Sequence, residues 1–217
     1  MNACNHHLWI MNADLPQPDD FNPEMFSCIY PVIASQILDR TGIRRGICLD
    51  LGSGPAHLGI ALAWLSDLTV IALDRSPEMV ELGRKNIQKK HMNGRVLPFL
   101  GDVRAIPARD ATFDLVASRG SFHSWDNLLP VFTEICRVLK PGGMAYIGGG
   151  YGSATIRREV LAWRQEQKGR ERKPLLKKSR FRSFQFGEIE AALESAGIAD
   201  YRLIDDTSGF WTIIKKG

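Results

Sequence analysis

The residues with chemistry in them stand at the ends of short apolar runs. Ile47 to Leu51 is one such run around a single acid, Asp50, and it empties into Gly52, Ser53 and Gly54. An apolar, helix-compatible stretch follows from Leu58 to Leu65. Strand, tight glycine turn and helix make the first half of a βαβ unit. Glycine suits the turn because it takes positive φ and lets a ligand approach the backbone. The helix start offers unpaired N–H groups to a polar or anionic ligand group. A second apolar run, Ile71-Ala72-Leu73, ends in Asp74. That puts a carboxylate about 20 residues beyond the glycines, the spacing at which an acid grips ribose hydroxyls. His123 follows a later apolar run and is the best candidate for a general base, because imidazole titrates near neutrality.

These residues need a scaffold, and the chain supplies alternating strand and helix signals. Asn22 and Pro23 read as the cap and first residue of an amphipathic helix that runs to about Arg40 and stops at Gly42. After the opening strand and helix come a strand over Thr69–Asp74 and a helix over Ser76–Lys90, with Ser76 as cap and Pro77 in the first position. Strands are expected over Val96–Leu100 and Phe113–Ser118, and a helix from Leu128 to Leu139. That helix ends at Lys140-Pro141-Gly142-Gly143, before a strand over Met144–Ile147. Helices over Ala154–Gln167 and Gly187–Ser195 follow, and a hairpin over Tyr201–Asp205 and Gly209–Ile214 closes the chain. Alternation implies a parallel sheet with helices on both faces, whereas the short last turn requires an antiparallel strand. The expected fold is α/β: a doubly wound, Rossmann-like, seven-stranded sheet, mostly parallel, with an antiparallel C-terminal hairpin strand and an N-terminal helical cap. We read 1–217 as a single domain. It has a cap segment at 1–45, a ligand-binding core at 46–150, and a basic segment with the hairpin at 151–217.

Composition sets the outer limits. The 217 residues, 44% hydrophobic and 24% charged, suit one domain with a sizeable core. No apolar run reaches the length of a membrane helix, and the first 20 residues lack the pattern of a secretion signal. Four scattered cysteines without a CxxC point to a reducing cytoplasm, with Cys48 and Cys136 expected as buried thiols. Cys4, His6 and His7 lack a fourth ligand at sensible spacing, so no metal site is expected. The net charge of +4 is uneven: Arg157 to Arg182 holds eleven Lys/Arg against three Glu. The part from Lys168 to Arg182 reads as a solvated lid, or alternatively as a polyanion-binding tract with Phe181, Phe184 and Phe186 interleaved.

Taken in order, these motifs resemble the class I S-adenosylmethionine-dependent methyltransferases, in the methyltransferase type 11 or ubiE-like small-molecule branch. DLGSGPAHLG, ALDRSPEMVELGRKN, GDVRAIP, FDLVASRGSFHSWDN and EICRVLKPGGMAYIGGG carry the likeness from about Ile47 to Lys216. The resemblance implies S-adenosyl-L-methionine as cofactor. Asp50 would meet its amino group, and Gly52, Ser53 and Gly54 its amino-acid and ribose portion. Asp74 would meet the ribose, Met79 the adenine face, Asp102 the adenine amino group, and the Val103 N–H a ring nitrogen, with Arg75 also among the cofactor-binding residues. Ser118 and Arg119 would line the cofactor near its methyl group. Tyr30, Trp125 and Tyr151, with Phe26, would form an aromatic wall for an apolar or cationic group of the acceptor. One departure is Ala56, which stands where the family often has a third glycine; a slightly tighter turn is expected there.

Methyl transfer is a displacement at carbon, so such a site mainly aligns nucleophile, carbon and sulfur and excludes water. The expected function is methyl transfer to a small-molecule acceptor. Two alternatives are a methyltransferase acting on RNA or another polyanion through residues 157–182, and a non-catalytic cofactor-binding module. A nucleic-acid partner is less favoured, no membrane partner is expected, and the sequence leaves the oligomeric state open.

Overall fold

The computed structural model describes residues 29–167 and 184–217. Its centre is a seven-stranded sheet in the order β3-β2-β1-β4-β5-β7-β6. The strands are β1 Arg45–Leu51, β2 Asp67–Asp74, β3 Val96–Leu100, β4 Phe113–Arg119, β5 Leu139–Gly150, β6 Tyr201–Asp206 and β7 Gly209–Lys215. β1 pairs in parallel with β2 and β4, β2 with β3, and β4 with β5. β7 runs antiparallel to both β5 and β6. The described helices are α1 Ile29–Thr41, α2 His57–Leu65, α3 Pro77–Lys89, α4 Leu128–Val138, α5 Ala154–Gln167 and α6 Phe186–Ser195. The doubly wound sheet with its antiparallel ending is therefore the architecture the alternation implies.

The strand pleat sorts the core into two layers. Cys48, Val70, Leu115 and Tyr146 turn to one face, where they pack with Ile33 and Ile37 of α1 and Leu62 of α2. Leu49, Leu73, Val116 and Ile147 turn to the other, against Phe132 and Ile135 of α4 and Leu193 of α6. Successive residues of a strand point to opposite faces, so central strands buried on both sides are apolar almost throughout.

Local signals explain most element ends. Ser76 caps α3, its hydroxyl accepting from the Met79 N–H at 3.2 Å, and Pro77 takes the first position. The Gln185 and Glu188 side chains form a capping box at α6. Arg95 closes α2 by donating to the carbonyls of Ala63, Ser66 and Leu68, where a cation also suits the helix C-terminus. Helix α1 is also anchored to the sheet by polar bonds. Arg40 donates to the Tyr146 hydroxyl at 2.9 Å and reaches Asp206 at 3.1 Å, while Gln36 donates to Tyr146 and Ser208.

Some expectations need correction. Lys140-Pro141-Gly142-Gly143 does not separate α4 from a later strand. β5 begins at Leu139, opposite Phe113, with a register irregularity between Phe113 and Leu115. The segment is held in the sheet because the Gly142 N–H donates to Lys216 and the Lys216 N–H to Gly143. Cys48 is buried but Cys136 only half-buried, since its position on α4 lies beside the apolar stripe. The predicted cap at Asn22, the cluster of Cys4, His6 and His7, and the basic segment Lys168–Arg182 lie outside the described residues. Among the described residues no helix is long and apolar enough to cross a membrane, and no group of three or more His, Cys, Asp or Glu could hold a metal.

Candidate active site

The carboxyl ends of β1, β2 and β4 meet at one edge of the sheet, and the turns leaving them build an open cleft. Gly52 opens it. Its φ of +65° is natural for glycine, and a Cβ there would lie 2.3 Å from the Ser121 Cβ. The loop is pinned across to β2: the Ser53 N–H donates to the Leu73 carbonyl at 3.0 Å and the Gly54 N–H to Asp74 at 2.8 Å. Ala56 does not simply tighten the turn. It adopts φ +63°, ψ +22°, the left-handed conformation that a glycine would take more easily, and leads into α2 without a side-chain cap.

Asp74, at the end of β2, uses one oxygen on the Gly54 N–H and the other on the Ser76 N–H at 2.9 Å. A carboxylate offers about four acceptor positions, so both oxygens keep capacity toward the cleft. Asp102 follows β3 and is gripped by Arg104: Nε donates to it at 3.0 Å, Nη2 at 2.6 Å and the Arg104 N–H at 2.9 Å. These bonds hold its carboxyl down at about 2, so it presents acceptors only. Arg75 and Val103 also line the cleft, and Trp125, from the loop after β4, closes its side.

Asp50 is different. It is buried beneath the loop and accepts from the Gly59 N–H at 3.0 Å. Burial pushes its carboxyl up to about 7; the Gly59 bond opposes this and the nearby Asp74 charge adds to it. A buried carboxyl that pairs with no cation among the described residues is suited to a ligand's ammonium group, which would favour its charged form. Beyond it, His57 packs with its ring 5.2 Å from that of Tyr30, and burial lowers its imidazole to about 4, so it is neutral.

Other site residues are placed as follows. Ser118 does not reach the cleft: it is fully buried, donates to the Leu51 carbonyl at 2.7 Å, and lies 2.6 Å from the Ser121 hydroxyl. Ser121 stands in the cleft in its place. Arg119 lies apart from the cleft lining, its guanidinium donating to the Gly150 carbonyl and covering the Tyr30 ring at 5.5 Å. Met79 is half-buried on α3 and does not line the cleft either. The aromatic residues form no single wall. Trp125 packs edge-on to Phe122 in the layer on one sheet face, whereas Tyr30 and Tyr151 pack in the layer on the other. His123 sits in a 3₁₀ turn, Phe122–Ser124, against Gly149 at the end of β5. Phe26 lies outside the described residues.

Sequence reasoning missed Arg104, Ser121, Ser124 and Asp126, all of which line the cleft. The spacing of Asp102 and Arg104 carried a signal, since an acid two residues before an arginine in a turn can accept from both its backbone and its side chain.

The arrangement fits a nucleoside bearing an amino group. Asp74 offers paired acceptors for vicinal hydroxyls, Asp102 an ionised acceptor for an exocyclic amine, and Asp50, beneath the loop, a carboxyl that pairs with no cation among the described residues. The chain matches the family model described as "Methyltransferase domain" over residues 49–147. It is similar to the crystal structure of a protein from Methanococcus maripaludis assigned as an S-adenosyl-L-methionine-dependent methyltransferase. That likeness is 38% identity, with a TM-score of 0.78, over 88% of this chain and 87% of that one. Among curated proteins it is 33% identical over 117 residues to a malonyl-[acyl-carrier protein] O-methyltransferase of Methylococcus capsulatus, covering 54% of this chain and 41% of that protein. It is 29% identical over 106 residues to a ubiquinone/menaquinone biosynthesis C-methyltransferase of a Geobacter species, covering 49% of this chain and 45% of that protein. The matched stretch thus spans less than half the length of these curated relatives.

Proposed function

The chain belongs to the S-adenosyl-L-methionine-dependent methyltransferases, and from that membership we propose that it transfers a methyl group to a small-molecule acceptor. The observation that carries the reading is the convergence of Asp74, Asp102 and the positive-φ Gly52 on one cleft. Asp74 would take the ribose hydroxyls, Asp102 and the Val103 N–H the adenine edge, and Asp50, beneath the glycine loop, the amino group. When bound, the cofactor supplies an activated methyl carbon on a sulfonium that leaves as a neutral thioether. Ser121 and Trp125 flank the cleft, and Trp125 adds apolar surface that keeps water out. The relatives' acceptors, by name a malonyl carrier-protein conjugate and a quinone precursor, support an acceptor other than nucleic acid.

The chain's own work is then alignment, with one proton to handle if the acceptor is protonated. His123 is the residue for that, as general base, with an expected contribution of about 10²–10⁴-fold in rate. Incubation with methyl-labelled cofactor and a cell extract, with the label located by mass spectrometry, tests the proposal. Label in a small molecule supports it. Tight cofactor binding with no labelled product from any extract would favour a non-catalytic module, and label in RNA would favour the polyanion alternative.

A further inference from the structure

Arg119 is the last residue of β4 and half-buried at the sheet edge. Its Nε and Nη2 both donate to the Gly150 carbonyl, at 3.2 and 2.9 Å, and its guanidinium carbon lies 5.5 Å from the centre of the Tyr30 ring. The Gly150 carbonyl, the Tyr30 ring and the Tyr30 hydroxyl hold the group in place but do not neutralise it. Arg40, Arg104 and Arg137 each pair with a carboxylate. Among the described residues Arg119 has none within ion-pair distance, although a half-buried cation without an anion is costly to keep. Its remaining N–H donors form a fixed planar fork, the geometry that suits a carboxylate.

The position separates this charge from the nucleoside cleft. Arg119 is fixed to the end of β5, whereas the cleft gathers at the ends of β1 and β2 and the turns after β3 and β4. The same end of β5 meets the candidate base: a Cβ on Gly149 would lie 3.3 Å from His123 Nε2. Gly148, Gly149 and Gly150 form the strand end that the two flank, Arg119 over Tyr30 on one sheet face and His123 against Phe122 on the other. We propose that Arg119 binds a carboxylate of the methyl acceptor, so that the acceptor is a small organic acid. This rests on the methyltransferase reading above and adds the acceptor's chemical class to it.

The test uses the full chain loaded with S-adenosylhomocysteine. It is titrated calorimetrically with acetate, hexanoate, succinate and benzoate, each against its neutral amide. The loaded wild type should bind at least one acid ten-fold or more tighter than its amide. Arg119→Gln should erase that preference, and Arg119→Lys, which keeps the charge without the fork, should retain part of it. S-adenosylhomocysteine and 5′-methylthioadenosine, which lacks the amino-acid end, should each bind Arg119→Gln as they bind wild type. A loaded wild type that prefers no acid over its amide overturns the proposal. So does a ten-fold loss of S-adenosylhomocysteine affinity in Arg119→Gln with methylthioadenosine unchanged, which would assign the guanidinium to the cofactor's own carboxylate. Failure of both nucleosides to bind the wild type would instead refute the cofactor reading beneath it.

Discussion

Arg104 holds both oxygens of Asp102, Nε on Oδ1 at 3.0 Å and Nη2 on Oδ2 at 2.6 Å, at the mouth of the nucleoside cleft. The contact is local in sequence and exposed, so it adds little to stability. Its consequence is for recognition: the carboxylate is fixed in direction and stays ionised into acid.

Removing the guanidinium should therefore change how cofactor binding depends on pH. In wild type Asp102 is lowered to about 2, so it remains a full acceptor at pH 4. In Arg104→Ala its carboxyl returns toward the ordinary value of about 3.9, and roughly half the molecules carry a proton there at pH 4. The ratio of wild-type to variant affinity for S-adenosylhomocysteine should grow as pH falls from 7 to 4. A ratio constant across that range would show that Asp102 does not read the adenine amino group.

Asp74 carries two duties, and a test must respect both. Its oxygens already accept from the Gly54 and Ser76 N–H groups, so replacement by alanine would leave two backbone donors unpaired as well as removing the ribose contacts. Asp74→Asn keeps the shape but only one acceptor oxygen. Losing one charge-assisted hydrogen bond at about 1.5–3 kcal/mol weakens cofactor binding by at least ten-fold. Thermal unfolding should shift by only a few degrees, on the order of 1 kcal/mol. Calorimetry showing wild-type affinity would remove the ribose assignment.

Much of this was legible in the sequence because the determining groups are close in the chain. A strand, its glycines and an acid at the next strand's end lie within one βαβ unit, and backbone alternation fixes which strand ends meet. Ser76 likewise caps α3 where its type and the following Pro77 predict. What stayed hidden depends on side-chain direction in loops. Ser118 at the end of β4 and Ser121 in the turn after it are three residues apart, and the backbone path through Gly120, at φ +83°, decides which reaches the cleft. Pro141-Gly142-Gly143 reads as a stop from local chemistry alone, yet bonds to Lys216 from the distant end of the chain draw it into β5. Trp125 and Tyr30 are both aromatic and both near the site, but the pleat sends their neighbours to opposite layers.

Asp50 gives a prediction with a defined sign. Its folded value of about 7 lies above the ordinary 3.9, so folding favours the protonated form. The penalty for burying the charge is absent below about pH 3.9 and complete above about pH 7, and it grows by roughly 1.4 kcal/mol for each tenfold gain in proton affinity on folding. Asp50→Asn should accordingly raise thermal stability more at pH 8 than at pH 5. An ammonium group placed beside Asp50 would restore its charge, so cofactor binding near pH 6.5 should release a proton from wild type. Calorimetric enthalpies measured in buffers of different ionisation heat should reveal that release, and Asp50→Asn should lose it. Equal enthalpies in all buffers would mean that the amino group lies elsewhere.

His123 can be tested without being removed. A methyl group added at Gly149 would stand 3.3 Å from its Nε2, close enough that the imidazole must give by a few tenths of an ångström. Gly149 lies in β5 opposite Phe210, within a regular antiparallel pair, and has no positive φ, so alanine fits its backbone. Gly149→Ala should fold and bind S-adenosylhomocysteine as wild type does, while misplacing the base. For an acceptor that arrives protonated, kcat should fall by about ten- to a hundred-fold, because general base catalysis demands hydrogen-bond reach. His123→Ala should lose on the order of a hundred-fold or more in kcat, and its loss should shrink at high pH as the acceptor deprotonates by itself. The two variants should be non-additive when combined, since a displaced base and an absent base do the same damage. If the double variant shows the product of the single losses, Gly149 acts on the acceptor directly, and if His123→Ala keeps wild-type rates at every pH the imidazole is a packing group on β5.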